Sequence, residues 1–170
     1  MDILQIADKA DNLIRKYKTR NPFKLVRYLD IALMFEPLMD LKGCFMVNWR
    51  NSYIFINDSM DDAETTWVLG HEIGHRILHY DLAKDIAKGL MEYSLYDMTT
   101  TPEREANIFA AELLVDEEEL LEYIYNFGYT VDECAKAMSM HPAFIALKIE
   151  ILNARGHKLN MQDYDRNFLK

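Results

Sequence analysis

His71-Glu72-Ile73-Gly74-His75 sets two imidazoles four residues apart, with a carboxylate directly after the first. On an α-helix, positions four apart differ by about 40° around the axis, so both rings leave one face, a turn apart. That spacing suits two ligands of a single tetrahedral cation. Glu72 is turned about 100° from His71. It is therefore outside the ligand pair but within reach of a water that the metal has made acidic, whose proton it can take. The chemistry expected is metal-assisted hydrolysis, with His71 and His75 as metal ligands and Glu72 as the general base. The ordinary alternative is a pair of satisfied or solvent-facing helix histidines. Two features weigh against it: Trp67, Val68, Leu69, Ile73, Ile77 and Leu78 supply apolar helical flanks, and three of the five histidines (His71, His75, His79) fall within nine residues.

A catalytic zinc takes three protein ligands and keeps one position open. Asp81 lies six residues after His75, but Leu78 stands where a turn-permitting glycine would be needed between them. Glu103, Glu105 and Glu112 lie in a later helical run, Glu103 to Leu114. On a helical wheel its apolar arc centres on Ala106, Phe109 and Leu113. Glu105 and Glu112 border one side of that arc and Glu103 the other, so periodicity does not choose among them, and a solvated helix glutamate is the usual role of any one alone. His79, one turn beyond His75, reads as a supporting residue rather than a ligand. Asn107 and Glu112 are candidates to orient a ligating ring, which metal-bound histidines almost always require. Tyr80, Tyr93 and Tyr96 are available as oxyanion donors.

The elements that must position these residues can be read in order. Ile3, Ile6, Ala10, Leu13, Ile14 and Tyr17 recur at helical spacing over residues 2 to 18. Asn21-Pro22 opens a second helix, expected to run as far as about Leu33. Leu33 to Pro37 reads as a short strand ended by proline. The runs 44–49 and 53–56, on either side of Arg50-Asn51-Ser52, read as an antiparallel hairpin. The metal helix is expected from Asp61 or Asp62 to about Tyr80. Residues 81–100 read as a short helix and loop, or a lid. Thr101-Pro102 opens the next helix. An acidic helix follows Asp116 and stops at Gly128. Thr130 and Glu133 form a capping box, and His141-Pro142 opens the last helix.

At 170 residues, half of them hydrophobic, the chain supports one core with a small appendage. The expected class is α+β: a mainly helical metallopeptidase core over residues 1–127 with a small antiparallel β-ribbon, a helix-turn-helix-like appendage over 128–155, and a polar tail over 156–170. With 28 acidic and 19 basic residues the net charge is −9, which argues against general nucleic-acid binding. Cys44 and Cys134 have no metal-like spacing and read as buried thiols of a reducing compartment. The start of the chain has no basic region followed by an apolar one, and no apolar run approaches the ~18 residues of a membrane span. A cytoplasmic location is expected.

His-Glu-x-Gly-His, followed about thirty residues later by Glu105-Ala106-Asn107-Ile108-Phe109-Ala110-Ala111-Glu112-Leu113-Leu114, resembles the ImmA/IrrE family of zinc metallopeptidases. The first motif is shared by many peptidases; the second is much more specific, and the resemblance covers most of the chain. It implies Zn2+ as cofactor, His71, His75 and Glu105 as the ligands, and Glu72 as the base. The sequence departs from the family in having Val115-Asp116-Glu117 where a proline often follows the Leu-Leu pair. The resemblance also implies a protein substrate, a helix-turn-helix repressor of a phage or mobile element, cut at one site. The alternative is a regulatory module that binds a repressor or DNA without turnover. Only Lys136, Lys148 and Arg155 supply positive charge to segment 130–155 for that purpose.

Overall fold

Among the described residues, six helices begin at a side chain that accepts a backbone N–H: Asp2, Asn21, Asp61, Asp116, Thr130 and His141. Each satisfies one of the donors that a helix start leaves unpaired. At Asp2 and Thr130 the third helical residue, Gln5 or Glu133, reaches back to complete a capping box. The computed structural model describes residues 1–49, 51–87 and 101–160. In order it contains α1 (Ile3–Tyr17), α2 (Pro22–Tyr28), β1 (Ile31–Glu36), β2 (Gly43–Asn48), β3 (Asn51–Asn57), α3 (Asp62–Leu78), α4 (Tyr80–Ala87), α5 (Thr101–Leu114), α6 (Glu117–Phe127), α7 (Val131–Ala137) and α8 (Pro142–Ala154). The class is α+β. Beyond Ala87, the expectation of a loop or lid up to residue 100 lies outside the described residues, as does the tail from 161.

The strand order is β1-β3-β2, with β2 antiparallel and β1 parallel to the central β3. The hairpin formed by β2 and β3 is the one the sequence predicts. The parallel partner is not, because its pairing, Ile31 opposite Ser52 through Glu36 opposite Asn57, is non-local and leaves no turn signal. The second helix stops at Tyr28, and the residues expected to extend it, 31–33, enter β1 instead. Ser52, Ile54 and Ile56 of β3 and Phe45 and Val47 of β2 are buried. They give the sheet one covered face, against which α3 packs.

Helix α5 is buried all round: Glu103 and every residue from Glu105 to Leu113 are covered. It packs against α3, α1 and α8, which is the environment of a central rather than an amphipathic surface helix. Arg20 caps its end by donating to the carbonyls of Glu112 at 2.7 Å and Leu113 at 3.2 Å. The core continues from Ile6 and Ala10 through Leu69, Ile73 and Phe109 to Cys134, Phe144, Ile149 and Leu152, so α7 and α8 share it with α3. Lys148 is fully buried between Glu112 (2.8 Å) and Glu117 (3.2 Å). Arg155 pairs with Asp11, Glu112 and Glu117. Two of the three basic residues of segment 130–155 are therefore spent on internal ion pairs. Cys44 and Cys134 are buried thiols. Among the described residues, no helix is long and apolar enough to cross a membrane.

Candidate metal centre

The buried face of α3 carries Val68, Leu69, His71, Glu72 and Ile73. Apolar residues on either side of the histidines pin that face to the core, so both rings are delivered into the seam with α5. Gly74 makes the seam tight. A Cβ there would meet the backbone oxygen of Ala106 at 3.1 Å and its Cα at 3.2 Å, so the two helices approach backbone to backbone.

In that seam His71 Nε2 and His75 Nε2 lie 3.0 Å apart. Glu103 completes the triangle, with Oε2 at 3.1 Å from His71 Nε2 and Oε1 at 3.4 Å from His75 Nε2. Among the described residues, these three form the one group of histidine, cysteine or acidic residues whose ligand atoms all lie within 4.8 Å of one another. A tetrahedral ion with bonds of about 2.0–2.1 Å spaces its ligand atoms by roughly 3.3 Å, which the observed separations match. The outer nitrogens agree with this. His71 Nδ1 is 2.8 Å from Asn107 Oδ1, so the Nδ1 proton is donated there and Nε2 presents a lone pair. His75 Nδ1 lies 3.1 Å from His79 Nδ1. Two ring lone pairs and a carboxylate facing one another in a buried site repel unless positive charge sits among them. The donor set fits a divalent cation of the zinc type.

The electrostatics of the group have the same cause. Burial opposes ionisation of Glu103, but its contacts with His71 and His75 outweigh it and hold the carboxyl at about 2. Burial also opposes a proton on His71, yet the Glu103 hydrogen bond and the charges of Glu72 and Glu103 raise its pKa. At His75 burial prevails, against the pull of Glu103, and the ring falls to about 4. The site thus holds one firmly ionised carboxylate that draws positive charge to its histidine side. A proton on one ring answers part of that demand; a cation answers both rings and the carboxylate together.

Glu72 is 3% exposed. Burial pushes its carboxyl up to about 7, with His71 opposing and Glu103 adding to the rise, while a hydrogen bond from the Phe45 backbone N–H acts against it. The bond from β2 is what the sheet contributes to the site. Gly43 of the same strand lies so close that a Cβ would meet Glu72 Oε1 at 3.1 Å.

The third ligand inferred from the resemblance, Glu105, is not at this triangle. Its carboxylate accepts from His79 Nε2 at 2.9 Å and from the amino group of Met1. This placement has a simple helical reason. Residues 103 and 105 are about 200° apart around α5, so only one of them can face His71 and His75. Asn107 is four residues after Glu103 and shares its face, and both touch His71. Asp81 is exposed on α4. Glu112 belongs to the Lys148 pair. Tyr80 packs over the Arg76 guanidinium at 4.6 Å, and Tyr93 and Tyr96 lie outside the described residues. The sequence feature that matches this placement is the i, i+4 spacing of Glu103 and Asn107.

The family model for the IrrE N-terminal-like domain, peptidase M78, matches residues 26–150, a span that runs from α2 through the sheet, α3 and α5 into α8. The chain is also 37% identical over 138 residues to the uncharacterized immunity region protein 2 of Bacillus phage phi105, an alignment covering 81% of this chain and 84% of that protein. The match spans most of the chain, α3 and α5 included: the chain belongs to the ImmA/IrrE family, peptidase M78.

Proposed function

We propose that the protein is a zinc-dependent endopeptidase that cuts a helix-turn-helix repressor of a phage or mobile element, with His71, His75 and Glu103 as metal ligands and Glu72 as general base. The observation that carries the reading is the triangle of ligand atoms at 3.0, 3.1 and 3.4 Å beside a buried carboxylate of raised pKa. A divalent cation held by these residues would supply Lewis acidity, favouring both an attacking water and a polarised peptide carbonyl.

The chain's own residues do the rest. Glu72 accepts the proton of the attacking water on its carboxylate as the oxygen–carbon bond forms. It returns that proton to the amine nitrogen as the carbon–nitrogen bond breaks. The Phe45 N–H fixes the carboxylate for both transfers. Asn107 orients His71 by accepting its Nδ1 proton. The peptidase family and the phage immunity-region relative support a substrate among repressors. The net charge of −9 suits docking on a basic DNA-binding protein. The internal pairing of Lys148 and Arg155 disfavours the alternative of a DNA-binding module.

The test is to incubate the purified protein with helix-turn-helix repressors encoded beside its gene and to follow cleavage by mass spectrometry. One cut in one repressor, stopped by a chelator and restored by Zn2+, is expected. Cleavage that persists through chelation contradicts the metal mechanism. Intact repressors together with a shift of operator DNA would favour the binding module.

A further inference from the structure

His79 and Glu105 form a second buried polar pair beside the triangle, and no step of the proposed hydrolysis uses them. Their side chains are 9% and 10% exposed. His79 ends the same helical stripe as the two ligand histidines, with its ring centroid 5.1 Å from that of His75. Its Nδ1 is 3.1 Å from His75 Nδ1, and its Nε2 is 2.9 Å from Glu105 Oε2. With His79 neutral, one arrangement of protons satisfies both of its contacts, to Glu105 and to His75. Glu105 accepts, so His79 carries its proton on Nε2. The Nδ1 of a neutral His79 is then an acceptor, and it takes the proton of His75 Nδ1. That leaves His75 Nε2 bare, directed at His71 and Glu103.

We propose that His79, held in its tautomer by Glu105, is a positioning residue that fixes the ring and tautomer of His75 for metal binding. The inference rests on the reading of His71, His75 and Glu103 as ligands. It gives Glu105 a role at the metal centre one step outside the ligands. His71 is oriented by an amide, Asn107, whereas His75 is oriented by an imidazole backed by a carboxylate, so the two ligands depend on different helical faces of α5. Loss of such an outer partner typically weakens metal affinity by about 10–100-fold without changing the ligand count.

The experiment is a competition titration of Zn2+ against a chromophoric chelator, with the Co2+ absorption spectrum as a second readout. It uses the full chain and the variants His79→Leu, His79→Asn, Glu105→Ala and Glu103→Ala. The wild type should take up about one ion. His79→Leu and Glu105→Ala should still bind one, about 10–100-fold more weakly, with an intense four-coordinate Co2+ spectrum retained. His79→Asn, whose amide oxygen replaces the lost acceptor, should recover most of the affinity. Should His79→Leu not fold, Glu105→Ala carries the same test from the far end of the pair. Wild-type affinity in His79→Leu overturns the proposal, and so does an Asn variant as weak as the Leu one. Loss of the ion in Glu105→Ala but not in Glu103→Ala would make Glu105 a ligand and overturn both assignments. A wild type that takes up no zinc removes the metal reading, and this proposal with it.

Discussion

At the scale of single residues, the site is a set of side chains whose burial has been matched to a partner. Glu72 is the exception: its carboxylate is buried with one backbone donor, the Phe45 N–H, and burial raises its pKa to about 7. Such a group is poised to exchange protons near neutrality. Glu72→Gln keeps the volume and an acceptor for Phe45 while removing the base. The variant should retain the fold and metal binding, and lose about 10²–10⁴-fold in turnover, measured as repressor cleavage alongside metal content. Near-normal turnover would mean that another group takes the proton. The placement of His71, Glu72 and His75 together on one helix was open to reading from the sequence because their spacing is local. Glu103 was not. A wheel centred on Ala106, Phe109 and Leu113 assumes one dry face, but α5 is covered on every side. Each of its buried glutamates therefore meets a different partner: Glu103 His71 and His75, Glu105 His79, Glu112 Lys148. Which glutamate meets which partner depends on neighbouring helices that periodicity does not describe.

At the scale of elements, the separation of α3 and α5 governs the triangle. Two glycines on α3 face α5, and they differ in what a methyl group would strike. At Gly74 it meets the Ala106 backbone at 3.1–3.2 Å; at Gly70 it meets the Leu114 side chain, Cδ1 at 2.7 Å. Backbone cannot yield without moving the helix, whereas Leu114, half-buried at the end of α5, can change rotamer. Gly74→Ala should cost about 1–3 kcal/mol and weaken metal binding by spreading Glu103 from the histidines. Gly70→Ala should stay within about 1 kcal/mol of the wild type, since the gain in helix propensity offsets the adjustment. Thermal unfolding with and without zinc tests both; equal effects would refute the backbone argument. Helix starts were the most legible elements, because caps such as Asn21-Pro22 and Thr130 with Glu133 act within four residues. The end of α2 was not, since pairing of residues 31–36 with β3 overrides the helical pattern that precedes them.

For the whole molecule, the C-terminal helices are part of the core that holds the metal helix in place. Lys148 on α8 is fully buried against Glu112 on α5. Removing one member of a buried pair costs up to about 3–5 kcal/mol, and here Arg155, 3.1 Å from Glu112, still answers part of the remaining charge. Lys148→Met should therefore lower stability by up to that much, while Lys148→Met with Glu112→Leu should recover much of it. Chemical denaturation of the two variants checks this, and equal loss in both would assign the effect to packing. The sequence reading set residues 128–155 apart as an appendage, since their helix-turn-helix pattern is local. Their contacts with α5 and α1 are long-range, and a lysine that looked available for a partner is spent inside. The account as a whole stands on a metal held between α3 and α5, and its most direct test is the zinc content of the purified wild type beside Glu103→Ala. About one zinc per chain in the wild type, and its loss in the variant, is the predicted result. Zinc held at wild-type affinity without Glu103 would contradict it.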